Sequence, residues 1–141
     1  ESARESDAAV QRLEKLQRDD RSNVKIAIAY ANQLLRGKSR EQAKTAAAVL
    51  KPLIIDEADN PLALLITYAN ACELAGEPVK SGLAHVEAAL LQGAFSDALG
   101  QLNDLLKRAD VDYYQRAQIE ARIAEVTPFA LEQRRQQIPV E

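Results

Sequence analysis

The chain has 141 residues, 47% of them hydrophobic and 28% charged, with a net charge of −3; that is enough apolar chain for one cored domain and too much for disorder. It carries no basic run of the kind that binds nucleic acid, the nearest being Arg134-Arg135, and its apolar patches fall far short of the ~20 residues that insert across a membrane. A single cysteine, Cys72, excludes an intrachain disulfide, and its alanine-rich surroundings make it a small core residue rather than a reactive thiol.

The opening "ESARESDAAV" has neither the basic nor the apolar segment of a targeting peptide, and the chain contains no methionine. It reads as a cut or processed piece of something longer.

Apolar residues recur at helical spacing throughout, and no period-two strand pattern competes with them. The first predicted helix covers 6–20, with Val10, Leu13 and Leu16 on one side. Ser22-Asn23 caps a second, "VKIAIAYANQLLRG", which Gly37 stops in a left-handed conformation. Ser39 and Gln42 form a capping box that opens a third helix, carrying Ala43, Ala46, Ala47, Leu50, Leu53 and Ile54 and kinked or shortened by Pro52.

Asn60-Pro61 predicts the start of a fourth helix, with Asn as cap, running to Gly76. A fifth runs from Pro78 to Gly93, and a sixth from Ser96 to a stop before Asp110. Asp112 caps a seventh, "YYQRAQIEARIAEV". Thr127-Pro128 then marks either a short separate helix or a bent continuation, and the final "IPVE" should fray. The loops are short, so neighbouring helices should pair as antiparallel hairpins.

The phrase Tyr30-Ala31-Asn32 returns as Tyr68-Ala69-Asn70, 38 residues on, each followed by a glycine, Gly37 or Gly76. A looser third copy, "AHVEAALLQG", places His85 in the ring position and ends at Gly93. A period of 38 lies near the ~34-residue unit of tetratricopeptide repeats. Small residues (Ala27, Ala31, Ala69, Ala71) let a partner helix approach, and the tyrosine fills the space beside them. The next helix answers with Ala43 or Ala98 and then Leu50, or Leu102 and Leu105. The fold expected is all-α: a tetratricopeptide-like right-handed superhelix of about seven helices in a single domain, repeat-like over 23–109 and closed by capping helices over 112–137.

Residues 85–126 also resemble the C-terminal repeat region of bacterial periplasmic zinc metalloproteases related to the beta-barrel assembly-enhancing protease. The likeness is carried by Gly93, Ala98 and Leu102, the acidic turn Asp110/Asp112, the pair Tyr113-Tyr114, and "RAQIEARI" at 116–123. Leu-Lys-Pro-Leu at 50–53, leading to Asp59-Asn60-Pro61, resembles the preceding unit, so the likeness spans about 24–126. His85 in a ring position and the divergent first helix depart from the pattern. The resemblance implies a periplasmic location, a zinc-bearing peptidase domain upstream, and a repeat region that contacts outer-membrane assembly machinery or misassembled client proteins.

No such chemistry is written in this stretch. His-Glu-x-x-His is absent and His85 is the single histidine, so a two-histidine zinc site cannot form within it. No nucleophile elbow or phosphate loop occurs, and Asp19-Asp20 and Asp56-Glu57 read as solvated turn carboxylates. The fragment is therefore expected to be non-catalytic, without a cofactor, and to bind proteins or peptides. A free-standing adaptor or cochaperone scaffold, cytoplasmic and chaperone-like, is the alternative.

The candidate contact residues are Tyr30, Asn32, Tyr68, Asn70, Tyr114 and Arg116. Asn32 and Asn70 project about 200° around the helix from their tyrosines, where an amide meets an extended peptide or a carboxylate, or simply water. Lys25 beside Asn32 resembles the lysine and asparagine of a carboxylate clamp, without a counterpart in the second unit. Tyr113 and Tyr114 point about 100° apart, so one can be core and the other surface. Arg116 and Arg122 anchor turns or a partner, or pair with Glu120 and Glu125.

Overall fold

A computed structural model describes residues 3–55 and 59–137. It is all-helical among these residues, with seven α-helices: α1 (Ala3–Asp19), α2 (Val24–Leu35), α3 (Arg40–Leu50), α4 (Leu62–Leu74), α5 (Pro78–Leu91), α6 (Phe95–Leu106) and α7 (Tyr113–Gln137). Asp56-Glu57, read as solvated carboxylates, and the end at 138–141, expected to fray, lie outside the described residues. Two compact units, 1–81 and 82–141, divide the chain within α5.

In the first unit α1 packs on α2, α2 on α3, and α4 on both α2 and α3. Alanines make this close approach possible: Ala27, Ala31, Ala43, Ala46, Ala69 and Ala71 are fully buried, as the repeat phrase predicts. Tyr30 and Tyr68 are buried beside them, and Leu50 and Leu64 fill the rest. Helix α1 lies against this core along Ser6, Ala9, Val10, Leu13 and Gln17, all half-buried, and Ser6 Oγ accepts a hydrogen bond from Gln33 Nε2 at 3.2 Å. Leu16 is off that stripe and 51% exposed, contrary to its expected place beside Val10 and Leu13.

The predicted caps divide into those that form and those that are rebuilt. Asn23 Oδ1 accepts from Ile26 N at 3.1 Å, and Ser39 Oγ from Gln42 N at 3.3 Å. Gly76 (φ 83°) ends α4 as expected, with Glu77 N bonding Cys72 O at 2.8 Å and Gly76 N bonding Glu73 O at 3.2 Å. Arg40 Nε donates to Ala75 O at 3.2 Å, placing a cation at the negative end of α4. Gly37 does not take the left-handed conformation. Lys38 does (φ 53°), because the four-residue connection needs its reversal immediately before the cap at Ser39.

Helix α3 stops at Leu50, and Pro52 sits in a single 3-10 turn, Lys51–Leu53, instead of kinking a longer helix. Asn60 does not cap α4. Pro61 is itself extended (φ −56°, ψ 133°), so the helix begins at Leu62 and Asn60 stands one position too early to cap it. Its amide instead brackets Ile55, accepting from Ile55 N at 2.8 Å and donating to Ile55 O at 2.9 Å. The N-cap position falls to Pro61, with no side-chain bond.

In the second unit α6 and α7 pack lengthwise. Ala98, Leu102 and Leu105 of α6 and Ile119, Val126 and Ala130 of α7 are buried. Asp112 opens α7 with a complete box: Asp112 Oδ1 accepts from Gln115 N at 2.7 Å and Gln115 Oε1 from Asp112 N at 3.2 Å. Helix α7 passes through Pro128 without ending, so the closing segment is one helix. Thr127 Oγ1 donates to Ile123 O at 2.6 Å, and beyond the proline the buried Ala130 is joined by Phe129 and Gln133 in holding the helix. Phe129 stacks on Phe95 at 5.4 Å, and the Gln133 amide grips the α5–α6 turn through Gly93 O (2.8 Å) and Ser96 N (3.3 Å).

Candidate binding surfaces

The repeat phrase places its asparagines outward and its rings inward. Asn32 on α2 and Asn70 on α4 are exposed, on two helices that pack together, and neither amide is hydrogen-bonded to another described residue. Tyr30 is only 5% exposed, and its hydroxyl pKa is raised, first by burial and then by Glu14 of α1. It serves packing and offers almost no surface to a partner. Lys25, two turns before Asn32 on α2, is exposed.

Tyr114 and Arg116 lie in the second unit, at the head of α7. Tyr113 and Tyr114 are 90% and 73% exposed, so neither joins the core; the stripe that packs on α6 runs through Ile119, Val126 and Ala130 and leaves both rings outside it. Arg116 Nη2 bonds Leu106 O at 3.4 Å, anchoring the α6–α7 turn. Arg122 takes its expected partner Glu125 at 2.7 Å and also Glu87 of α5, the latter through two bonds of 2.9 and 2.5 Å. His85 is exposed, with Val86 taking the buried position beside it, so the third copy of the phrase does not put its ring in the packing slot.

A further feature, a cleft, lies in the first unit and involves Tyr68. The cleft has a volume of about 250 Å³ and is formed by α3, the second half of α4 and the first turn of α5. Its floor is Tyr68, Cys72 and Ala75, and Ala47 and Ala48 make one wall. Lys44, Lys51, Lys80 and Glu77 stand at the rim, all exposed. Lys51 Nζ sits 5.8 Å from the centre of the Tyr68 ring, within reach of a cation–π attraction.

Burial raises the Cys72 thiol pKa despite a hydrogen bond with Tyr68 and the nearby lysines, so the sulfur stays neutral and unreactive. Burial, and then the bond with Cys72, raises the Tyr68 hydroxyl well above the ordinary value of 10.0. A buried phenol that stays neutral while the unfolded chain ionises favours unfolding at high pH. Its contribution is therefore intact below about pH 10 and is lost as pH rises from there toward the folded-state value. The chain should lose stability above pH 10 more steeply than Tyr68→Phe does, in urea titrations run from pH 8 to 11. Equal slopes would mean that the phenol is not held neutral by the fold.

Sequence reasoning finds Tyr68 but misses the lysines around it. The signal is present: Lys44 of α3 and Lys51, its helical C-cap residue, are seven residues apart on one side, with Ala47 and Ala48 between them. Among the described residues no helix is long and apolar enough to cross a membrane, and no group of three or more His, Cys, Asp or Glu is placed to hold a metal ion. No protein-family model, curated protein or solved structure matches the chain.

Proposed function

We propose that this chain is a non-catalytic protein-interaction module of tetratricopeptide type, belonging to a periplasmic zinc metalloprotease that serves outer-membrane protein assembly and quality control. The observation that carries the module reading is the spacing of its helices. Helices α2 and α4 begin at Val24 and Leu62, 38 residues apart, and α3 and α5 at Arg40 and Pro78, again 38 apart. Helices α6 and α7 follow α4 and α5 at intervals of 33 and 35. Helix pairs at such intervals, with alanines at each close approach, are the unit of a repeat array whose outward face is free for a partner.

The protease attachment rests on the resemblance over 24–126. In this reading zinc belongs to an upstream peptidase domain and hydrolysis happens there. The present residues bring clients or assembly machinery within its reach. The exposed Asn32, Asn70 and Tyr114 are the side chains that packing leaves for that task.

Photo-crosslinking tests it in the native full-length protein, with the crosslinker placed at Asn70 or Tyr114. Capture of an outer-membrane assembly component or an unassembled outer-membrane protein is the expected result. With the crosslinker at Tyr114, Asn32→Ala/Asn70→Ala should weaken that capture without changing the helical circular dichroism. Capture confined to cytoplasmic proteins would replace the protease reading with that of a free adaptor.

A further inference from the structure

We propose that the cleft of α3, α4 and the head of α5 docks an acidic, extended peptide segment, a proposal that rests on the reading of the chain as a protein-binding module. Charge is the first argument. The chain carries −3 overall, yet this cleft sets three lysines against one glutamate. Among the described residues Lys44 alone of the three has a carboxylate partner, Glu41 at 3.5 Å, and that pair is largely exposed. Exposed pairs of this kind are weak and yield to a competing carboxylate. Lys51 and Lys80 both act on the Cys72 thiol at the floor, so their charge reaches into the cleft and not only into solvent.

Spacing is the second argument. Lys44 of α3 and Lys51, the helical C-cap residue just after it, lie on one side and are seven residues apart, which puts them roughly 10 Å apart along the axis. A single small anion cannot bridge that distance. An extended chain in polyproline II conformation rises ~3.1 Å per residue and returns to the same side every third residue, so acids at i and i+3 stand roughly 9 Å apart. The third argument is shape. A volume of about 250 Å³ holds one or two side chains, and the alanine wall over Tyr68 accepts a small apolar residue between the two carboxylates.

The probe is an acetylated, amidated, fluorescein-labelled nonapeptide repeating Glu-Ala-Pro, read by anisotropy against the whole chain. Saturable binding is expected, weakened by added salt because the attraction is between exposed charges. The Gln-Ala-Pro counterpart should bind at least tenfold more weakly. Lys44→Gln/Lys51→Gln should lose about tenfold in affinity, since each exposed lysine contributes a factor of about two to five. Glu77→Gln should gain two- to threefold, a direction that damage to the fold does not produce. Lys107→Gln, which follows α6 and is not among the residues lining the cleft, should change nothing.

Equal binding of the glutamine peptide, or an unchanged Kd in the double lysine variant, overturns the proposal. So does full competition by millimolar inorganic phosphate, which would make the cleft a small-anion site. If the acidic peptide fails while crosslinkers at Asn70 or Tyr114 still capture a partner, the cleft assignment falls and the module reading stands.

Discussion

Ile119→Ala should cost the chain about 2–5 kcal/mol of stability, measured by urea denaturation. Ile119 is fully buried and belongs to the stripe Ile119, Val126, Ala130 that α7 lays on Ala98, Leu102 and Leu105 of α6. Its removal loses the transfer free energy of three carbons and leaves a cavity that two helices in lengthwise contact cannot close. A domain of this size has a total stability of about 5–15 kcal/mol, so the loss is a large part of it. The comparison that gives the result meaning is Arg122→Ala, three residues along the same helix. Arg122 pairs with both Glu87 and Glu125, but its side chain is 32% exposed. Pairs open to solvent contribute about 0–1 kcal/mol, so this variant should cost several-fold less than Ile119→Ala. Similar losses for the two would mean that α7 is held by its charges and not by its apolar stripe.

The elements that sequence reasoning places well are those decided within one turn of helix. Asn23, Ser39 and Asp112 each need only an N–H three residues on, and each finds it. The alanine positions follow from the repeat phrase, because a helix that presents Ala at i and i+4 has one face a neighbour can approach closely. The corrections fall where two local rules compete. At Asn60 the proline itself takes the extended N-cap conformation, so the helix starts one residue too late for Asn to cap it, and the amide is spent on Ile55. At the end of α2 the glycine is one residue too early for the reversal, and Lys38 takes it at a cost of roughly 1 kcal/mol.

The candidate surfaces were legible only in part, for a different reason. That Asn32 and Asn70 face outward follows from 3.6-residue periodicity alone. That Tyr113 and Tyr114 both face outward does not, because the packing stripe of α7 begins only beyond them. The cleft was least legible, since Lys51, Tyr68 and Lys80 come together only through the register of α3 against α4 and the direction in which α5 leaves Gly76. The reversal at Gly76 is visible in the sequence. The register is a consequence of Ala43, Ala46, Ala69 and Ala71 closing the gap between helices, which no single-helix pattern expresses.

Gly82 offers a test of helix approach in the second unit, and its expected effect changes sign with the background. A Cβ built on Gly82 would lie 2.6 Å from Cδ2 of Leu105, and 3.2 and 3.3 Å from its Cδ1 and Cγ. Three atoms of one leucine crowd the position, and Leu105, itself 7% exposed, must shift within packed surroundings to make room. Overpacking of this kind costs about 1–3 kcal/mol. Alanine favours the helix over glycine by about 1 kcal/mol, which offsets part of the loss without cancelling it. Gly82→Ala should therefore destabilise the chain. In a Leu105→Ala background the crowding atoms are gone, and the added methyl enters the cavity that the truncation opens. There Gly82→Ala should stabilise, by about 0.5–1 kcal/mol. The double-mutant cycle should return a coupling of about 0.5–3 kcal/mol between two positions 23 residues apart on different helices. Additive effects in the cycle, with Gly82→Ala equally harmful in both backgrounds, would show that α5 and α6 do not meet at these residues. A sign reversal has no source other than their contact, because helix propensity and unfolded-chain entropy are the same in both backgrounds.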